Sequence, residues 1–187
     1  PTKNGDLTPN EFTHGSDKKV WWLCSKEHSY KATIKNKTLK KSGCPYCSNK
    51  KASETNNLQV MFPEIAKEWH PTKNGDLTPN DVTYGTSQVV WWLCPKGHSF
   101  DTSINKRTSM KTNCPYCSGR KVGQDNNLLA LFPDIAKEWH PTKNKGLTPK
   151  DVTSKSDKKV WWLCPNGHSH ESVVKNRTLN KSMCPDC

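Results

Sequence analysis

Twelve residues stand at metal-ligand spacing. Cys24, His28, Cys44 and Cys47 follow the pattern Cys-x3-His-x15-Cys-x2-Cys, which recurs 70 residues on as Cys94, His98, Cys114 and Cys117, and again as Cys164, His168, Cys184 and Cys187. The three sets use all nine cysteines and three of the seven histidines. Three soft thiolates and one imidazole suit a four-coordinate Zn2+ with a shell closed by protein. One zinc is therefore expected per set, three in all. A disulfide framework is the competing use of these cysteines, and an odd number per repeat argues against it.

A closed shell leaves no position for an activated water or a substrate, so the expected metal is structural. Elsewhere the chain offers little for catalysis. Asp134 and Glu138 superficially resemble a nuclease carboxylate set, but they fall inside a predicted helix without a following spaced lysine. No Ser-His-Asp arrangement or glycine-rich phosphate loop is visible, and the reading is that of a non-enzyme.

The 187 residues carry a net charge of +12, and only 32% are apolar. Each Cys3His zinc site adds about one negative charge, leaving a working charge near +9. So polar a chain is expected to build several small metal-stapled cores in place of one large one. Its basic balance points to a polyanionic partner. No apolar run reaches membrane-spanning length, so no membrane partner is expected. Reduced, metal-bound cysteines imply an intracellular compartment. The chain opens in mid-repeat and stops on Cys187, the reading of a piece of a longer array with further repeats or domains outside it.

The elements that position the ligands follow from the repeat. Residues 1–47 and 71–117 are identical at 27 of 47 positions, so the units are finger one over 1–50, a helical segment plus finger two over 51–120, and a helical segment plus finger three over 121–187. Asn127 reads as a helix N-cap and Pro133 as the first turn of a second short helix. Leu128, Leu131, Phe132, Ile135 and Trp139 then form a core-facing stripe, matched by Leu58, Met61, Phe62, Ile65 and Trp69. The turn-rich segment 71–79 predicts an ordered loop. Val90-Trp91-Trp92-Leu93 predicts a strand delivering Cys94, and Gly97 relieves the backbone where the chain reverses at the knuckle. Ser99 to Ile104 predicts the next strand, with a hairpin return after it and a short helix over Ser118–Lys121. In each Trp-Trp pair one indole is expected in the core; the other covers the upstream helix or stacks on a base. Tyr30, Phe100 and His170 are expected to cover the core. His70 and His140, in Trp-His-Pro, read as helix-end residues and not as ligands.

This order, knuckle, hairpin and second ligand pair at a helix start, is that of a treble-clef finger; a zinc ribbon, with both knuckles in hairpins, is the alternative. The runs Trp-Trp-Leu-Cys-Pro-x-Gly-His, Cys-Pro-Tyr-Cys-Ser-Gly-Arg-Lys and Phe-Pro-Asp-Ile-Ala-Lys-Glu-Trp-His-Pro resemble a family of probable zinc-ribbon or treble-clef repeats of undefined function. The resemblance covers essentially the whole chain. It implies zinc, suggests association with nucleic acid, and allows a neighbouring nuclease-like domain. Ser25 and Glu27 depart from the Pro and Gly of the other first knuckles, Lys37 from Arg107, and Asp186 from Tyr116.

The basic residues cluster after the knuckle histidine. Lys35, Lys37, Lys40 and Lys41 in the first copy, Lys106, Arg107, Lys111, Arg120 and Lys121 in the second, and Lys175, Arg177 and Lys181 in the third are expected on hairpin tips or on the turn beyond the second knuckle. Mobile cations suit phosphates, and Arg107 and Arg177 as planar forks also suit a guanine edge. The expected function is a tandem zinc-finger array binding nucleic acid, duplex DNA ahead of RNA. The alternatives are a protein-interaction scaffold for an acidic partner and a DNA-targeting accessory module of a larger nuclease.

Overall fold

The computed structural model describes residues 2–187. It resolves into two compact units, one running to Leu93 and including Asp101–Thr112, the other formed by Cys94–Phe100 and Asn113–Cys187. Each is built from the same small parts.

In the first unit, strands β1 (Lys19–Leu23) and β2 (Ser29–Thr33) pair antiparallel with Trp22 opposite Tyr30 and Trp21 opposite Lys31. The short helix α1 (Ile34–Thr38) follows at once. The helical segment comes next as α2 (Leu58–Met61) and α3 (Pro63–Ala66), then β3 (Val89–Leu93). Strand β4 (Ser99–Ser103) forms the second two-stranded sheet with β3, and α4 (Ile104–Thr108) leaves from its end. The second unit repeats the plan with α5 (Leu128–Leu131), α6 (Pro133–Lys137), β5 (Lys159–Leu163), β6 (Ser169–Val173) and α7 (Val174–Thr178).

A lone two-stranded hairpin is marginal in water and needs a covered face. The helical segment supplies the cover. In the second unit Leu128, Ala136, Val152, Val160, Trp162 and Val174 form the core, with Phe132, Ile135, Trp139 and Leu147 packed around it. Trp139 meets Trp162 edge to face at 5.4 Å, and in the first unit Trp69 meets Trp92 in the same way at 5.6 Å. Backbone bonds add to the packing. Leu58 N–H donates to Val82 C=O, His70 N–H to Trp91 C=O, and Leu93 N–H to Glu68 C=O.

The expected single stripe is divided. Asn57 and Asn127 do cap their helices, accepting from Val60 and Ala130 N–H at 2.9 Å. Phe62 and Phe132, each preceding a proline, leave the helical region at φ −142 and −138. Proline clashes with a helical predecessor, and the segment runs as two helices of four or five residues, the second opening on Pro63 or Pro133 as expected. The second helix changes direction. Met61 and Leu131, which the stripe assigned to the core, face solvent, and Ala66 and Ala136 take buried places the periodicity did not assign.

Two further expectations fail locally. The hairpin return after Ile104 is a helix, α4, with counterparts α1 and α7. The short helix over Ser118–Lys121 is a single turn, in which Arg120 and Lys121 N–H both reach Pro115 C=O, and Gly119 ends it at φ +75. The loop after each helical segment is ordered as expected. Asn74 brackets Trp91, accepting its N–H at 2.8 Å and donating to its C=O at 2.9 Å; Asn4 and Asn144 do the same for Trp21 and Trp161.

Candidate metal centre

Each first ligand pair sits in the turn of a hairpin. Cys94 N–H donates to His98 C=O at 3.0 Å, and Gly97 N–H to Cys94 C=O at 2.8 Å. Gly97 and Gly167 hold φ of +82 and +86 there, and Glu27 must adopt +63 at the same place. Each second pair sits on a turn outside the hairpin: Ser48 and Ser118 N–H donate to Cys44 and Cys114 C=O at 3.0 Å, as in a helical turn, and Cys187 N–H donates to Cys184 C=O at 3.3 Å. Because that pair lies outside any hairpin, the ribbon arrangement is excluded.

The structure brings all twelve expected ligands together, four by four, with ligand atoms within 4.8 Å of one another. A regular tetrahedron around Zn2+ at ordinary bond lengths has S···S edges of about 3.8 Å and S···N edges of about 3.5 Å. The Sγ atoms of Cys24 and Cys47 are 3.7 Å apart, those of Cys94 and Cys117 3.8 Å, and those of Cys164 and Cys187 3.6 Å. From His28 Nδ1 the sulfurs of Cys24, Cys44 and Cys47 lie at 3.5, 3.7 and 3.3 Å. The clusters have the size of a zinc tetrahedron, with Nδ1 as the imidazole ligand.

Their electrostatics ask for a cation. At Cys24 burial opposes ionisation, but the N–H groups of Lys26 and His28 and the neighbouring thiols outweigh it and hold the thiol at about 6. Its neighbour Cys47 is pushed up to about 11, by burial first and then by Cys24 and Cys44. Cys117 reaches about 12 for the same reasons, burial leading. Three thiols this close cannot all ionise without a positive charge among them, and Zn2+ supplies it.

A family model described as a probable treble clef zinc finger domain matches residues 1–50, 65–120 and 135–187. The chain belongs to that family. Comparison with curated proteins yields no match. The chain is thus a zinc-binding treble-clef array with three Cys3His sites. Among the described residues no helix is long and apolar enough to cross a membrane.

The surroundings of the three sites differ in ways the spacing did not reveal. His98 Nε2 lies 2.8 Å from Asp125 Oδ1, and that hydrogen bond raises the His98 pKa and lowers that of Asp125. A carboxylate on the far nitrogen fixes the tautomer that presents Nδ1 to a metal. The only sequence signal was an acid eight residues beyond Cys117, where the first copy has Thr55. Tyr46 and Tyr116 pack on His28 and His98 with centroids at 5.3 and 5.2 Å. At the third site Asp186 replaces that tyrosine, and Asn166 Nδ2 contacts Cys187 Sγ at 3.3 Å.

The expected phosphate-binding residues divide sharply. Arg107 and Arg177 are buried, not displayed. Arg107 pairs with Glu68 at 2.8 Å and stacks over Trp92; Arg177 pairs with Glu138, donates to Ser182 C=O and lies over Trp162. A guanine edge is out of their reach. Lys37 lies over Trp22 and Tyr30, Lys35 pairs with Asp17 at 3.8 Å, and Lys175 pairs with Asp157. Arg120 bonds Asn113 C=O and Ser118 Oγ. Lys40, Lys41, Lys106, Lys111, Lys121 and Lys181 are exposed, on helix or turn instead of a hairpin tip.

Of these, Lys41, Lys111 and Lys181 occupy one equivalent place. Each follows a short helix in the left-handed region, at φ +48, +50 and +51. The next N–H closes the helix end, Thr112 donating to Lys106 C=O at 2.9 Å. Glycine is the usual residue in this conformation, and all three copies carry lysine.

His70 and His140 are buried and structural, as expected; each Nδ1 accepts the N–H groups two and three residues on. Trp92 and Trp162 are fully buried. Their neighbours Trp91 and Trp161 sit beneath Lys73 and Lys143 at 4.3 and 4.4 Å.

Proposed function

We propose that this array binds nucleic acid through its phosphate backbone, with duplex DNA ahead of RNA, and that its zinc ions are structural. One observation carries the reading. In every repeat an exposed lysine, Lys41, Lys111 or Lys181, stands at a helix end in a conformation that favours glycine, without an ion pair among the described residues. A residue type held against its backbone preference at an exposed point is better explained by its side chain than by the fold. Lys40 beside Lys41, Lys106 on α4 and Lys121 beyond the second knuckle add exposed charge.

Base-edge reading drops out with Arg107 and Arg177 drawn inside. Single strands are disfavoured, because the outer indoles already carry a lysine on one face and the inner ones are buried in repeats two and three. What is left is recognition of phosphate, with affinity that falls steeply with salt. The two carboxylates that superficially resemble a nuclease set are engaged in ion pairs. Glu138 is tied to Arg177, and the exposed Asp134 pairs with Lys137.

The test is a salt-titrated binding series against duplex DNA, single strands, RNA and an acidic polypeptide. Replacing Lys41, Lys111 and Lys181 together by Glu should weaken duplex binding and lower the slope of log K against log salt by roughly 2 to 3. An unchanged slope, or preference for the acidic polypeptide, would favour a protein-interaction scaffold.

A further inference from the structure

The first repeat has an apolar cleft where the other two repeats are covered. About 330 Å³ in volume, it is lined by Leu7, Phe12, Val20, Trp22 and Ile34 among others. The equivalents of the last four in the second repeat, Val82, Val90, Trp92 and Ile104, are all buried, as are Val152, Val160, Trp162 and Val174 in the third. Phe12, Val20 and Trp22 are only half-buried.

The difference has a specific cause. In the second repeat Leu58, Ala66 and Trp69 lie against this face, and in the third Leu128, Ala136 and Trp139 do. The backbone carries the same mark. Leu93 and Leu163 N–H donate to the C=O groups of Glu68 and Glu138 at 2.7 Å, whereas among the described residues Leu23 N–H makes no such bond and Leu23 is exposed. Charge agrees as well. Arg107 and Arg177 face Glu68 and Glu138, and Lys37 at the same position lies over Trp22 with no carboxylate partner among the described residues.

We infer that the cleft is a docking seat for a further two-helix segment with the chemistry of residues 57–70. Its pattern is Asn-Leu-x3-Phe-Pro-x-Ile-Ala-x-Glu-Trp-His, present in this chain at 57–70 and 127–140. The leucine and tryptophan fill the cleft against Trp22, the carbonyl of the glutamate receives Leu23 N–H, and its carboxylate meets Lys37. The seat extends an array by the contact that already closes its inner repeats.

The probe is a synthetic peptide of residues 126–140, titrated calorimetrically into the zinc-loaded chain. One-to-one binding is expected, weakened about tenfold or more by Trp139→Ala in the peptide. Glu138→Lys in the peptide should weaken binding to the parent chain and restore it to a chain carrying Lys37→Glu. Binding indifferent to both charge changes would overturn the inference. So would a concentration-dependent dimer that excess peptide does not dissociate, since a second copy would then own the cleft. To cover a peptide too weak to hold its shape, the same segment is fused ahead of the chain through a flexible linker, which raises its local concentration. Amide exchange at Leu23 should then slow about tenfold or more against a fusion of scrambled sequence; equal exchange would sink the idea.

Discussion

The guanidinium of Arg107 lies 5.0 Å from the ring centre of Trp92. Glu68 reaches it from the segment after α3, so one side chain fastens the helical segment to the hairpin and to α4. Removing one partner of a pair this buried leaves the other uncompensated. Arg107→Ala should destabilise the first unit by about 3 kcal/mol, read from the denaturation midpoint of the zinc-loaded chain. Its DNA affinity, measured well below that midpoint, should stay close to the parent's. A large loss of affinity with intact stability would return Arg107 to the binding surface.

Glu27 marks a weak point in the first knuckle. A side chain in the left-handed region is disfavoured by about 1 kcal/mol, and Gly97 and Gly167 avoid that strain at the same turn. Glu27→Gly should therefore stabilise the first finger by about that amount, and Gly97→Ala should weaken the second by a similar one. Thermal unfolding of the two variants under equal zinc checks the opposite signs.

Asp125 supports His98 without touching the metal position itself. Losing such a partner lowers zinc affinity by roughly 10- to 100-fold. Competition with a coloured chelator should show one of three sites weakened in Asp125→Thr, the residue type of the first copy at Thr55. Cys114→Ala should go further, because small sites fold with their metal. Zinc content should fall from three per chain to two, with loss of the middle finger's dispersed NMR signals.

Much of the metal centre was legible because it depends on type and spacing alone. Cysteine and histidine have few other uses at a fixed 70-residue period, and all twelve ligands fall into place. The buried faces of Tyr30, Phe100 and His170 followed from strand parity, which a two-residue period fixes, whereas which indole of each Trp-Trp pair turns inward was not assigned. The helical stripe was legible only in part, since Pro63 and Pro133 reset the register and exchanged Met61 for Ala66 and Leu131 for Ala136. The fate of the cations was not legible. Arg107 and Lys106 are adjacent, and the tryptophan and glutamate that receive Arg107 come from residues distant in sequence. Asp125 was hidden for a related reason, its partner lying 27 residues away across a turn.

The paired tryptophans also make two of the repeats optically distinguishable from the third. Two indoles held edge to face at 5.4–5.6 Å are near enough for their electronic transitions to couple, and the 78° angle between the rings makes each pair a fixed asymmetric chromophore. Trp69 with Trp92, and Trp139 with Trp162, should each give a circular-dichroism couplet that vanishes when its helical segment lifts away. A chain with eight tryptophans thus carries its own label for the coming apart of individual repeats.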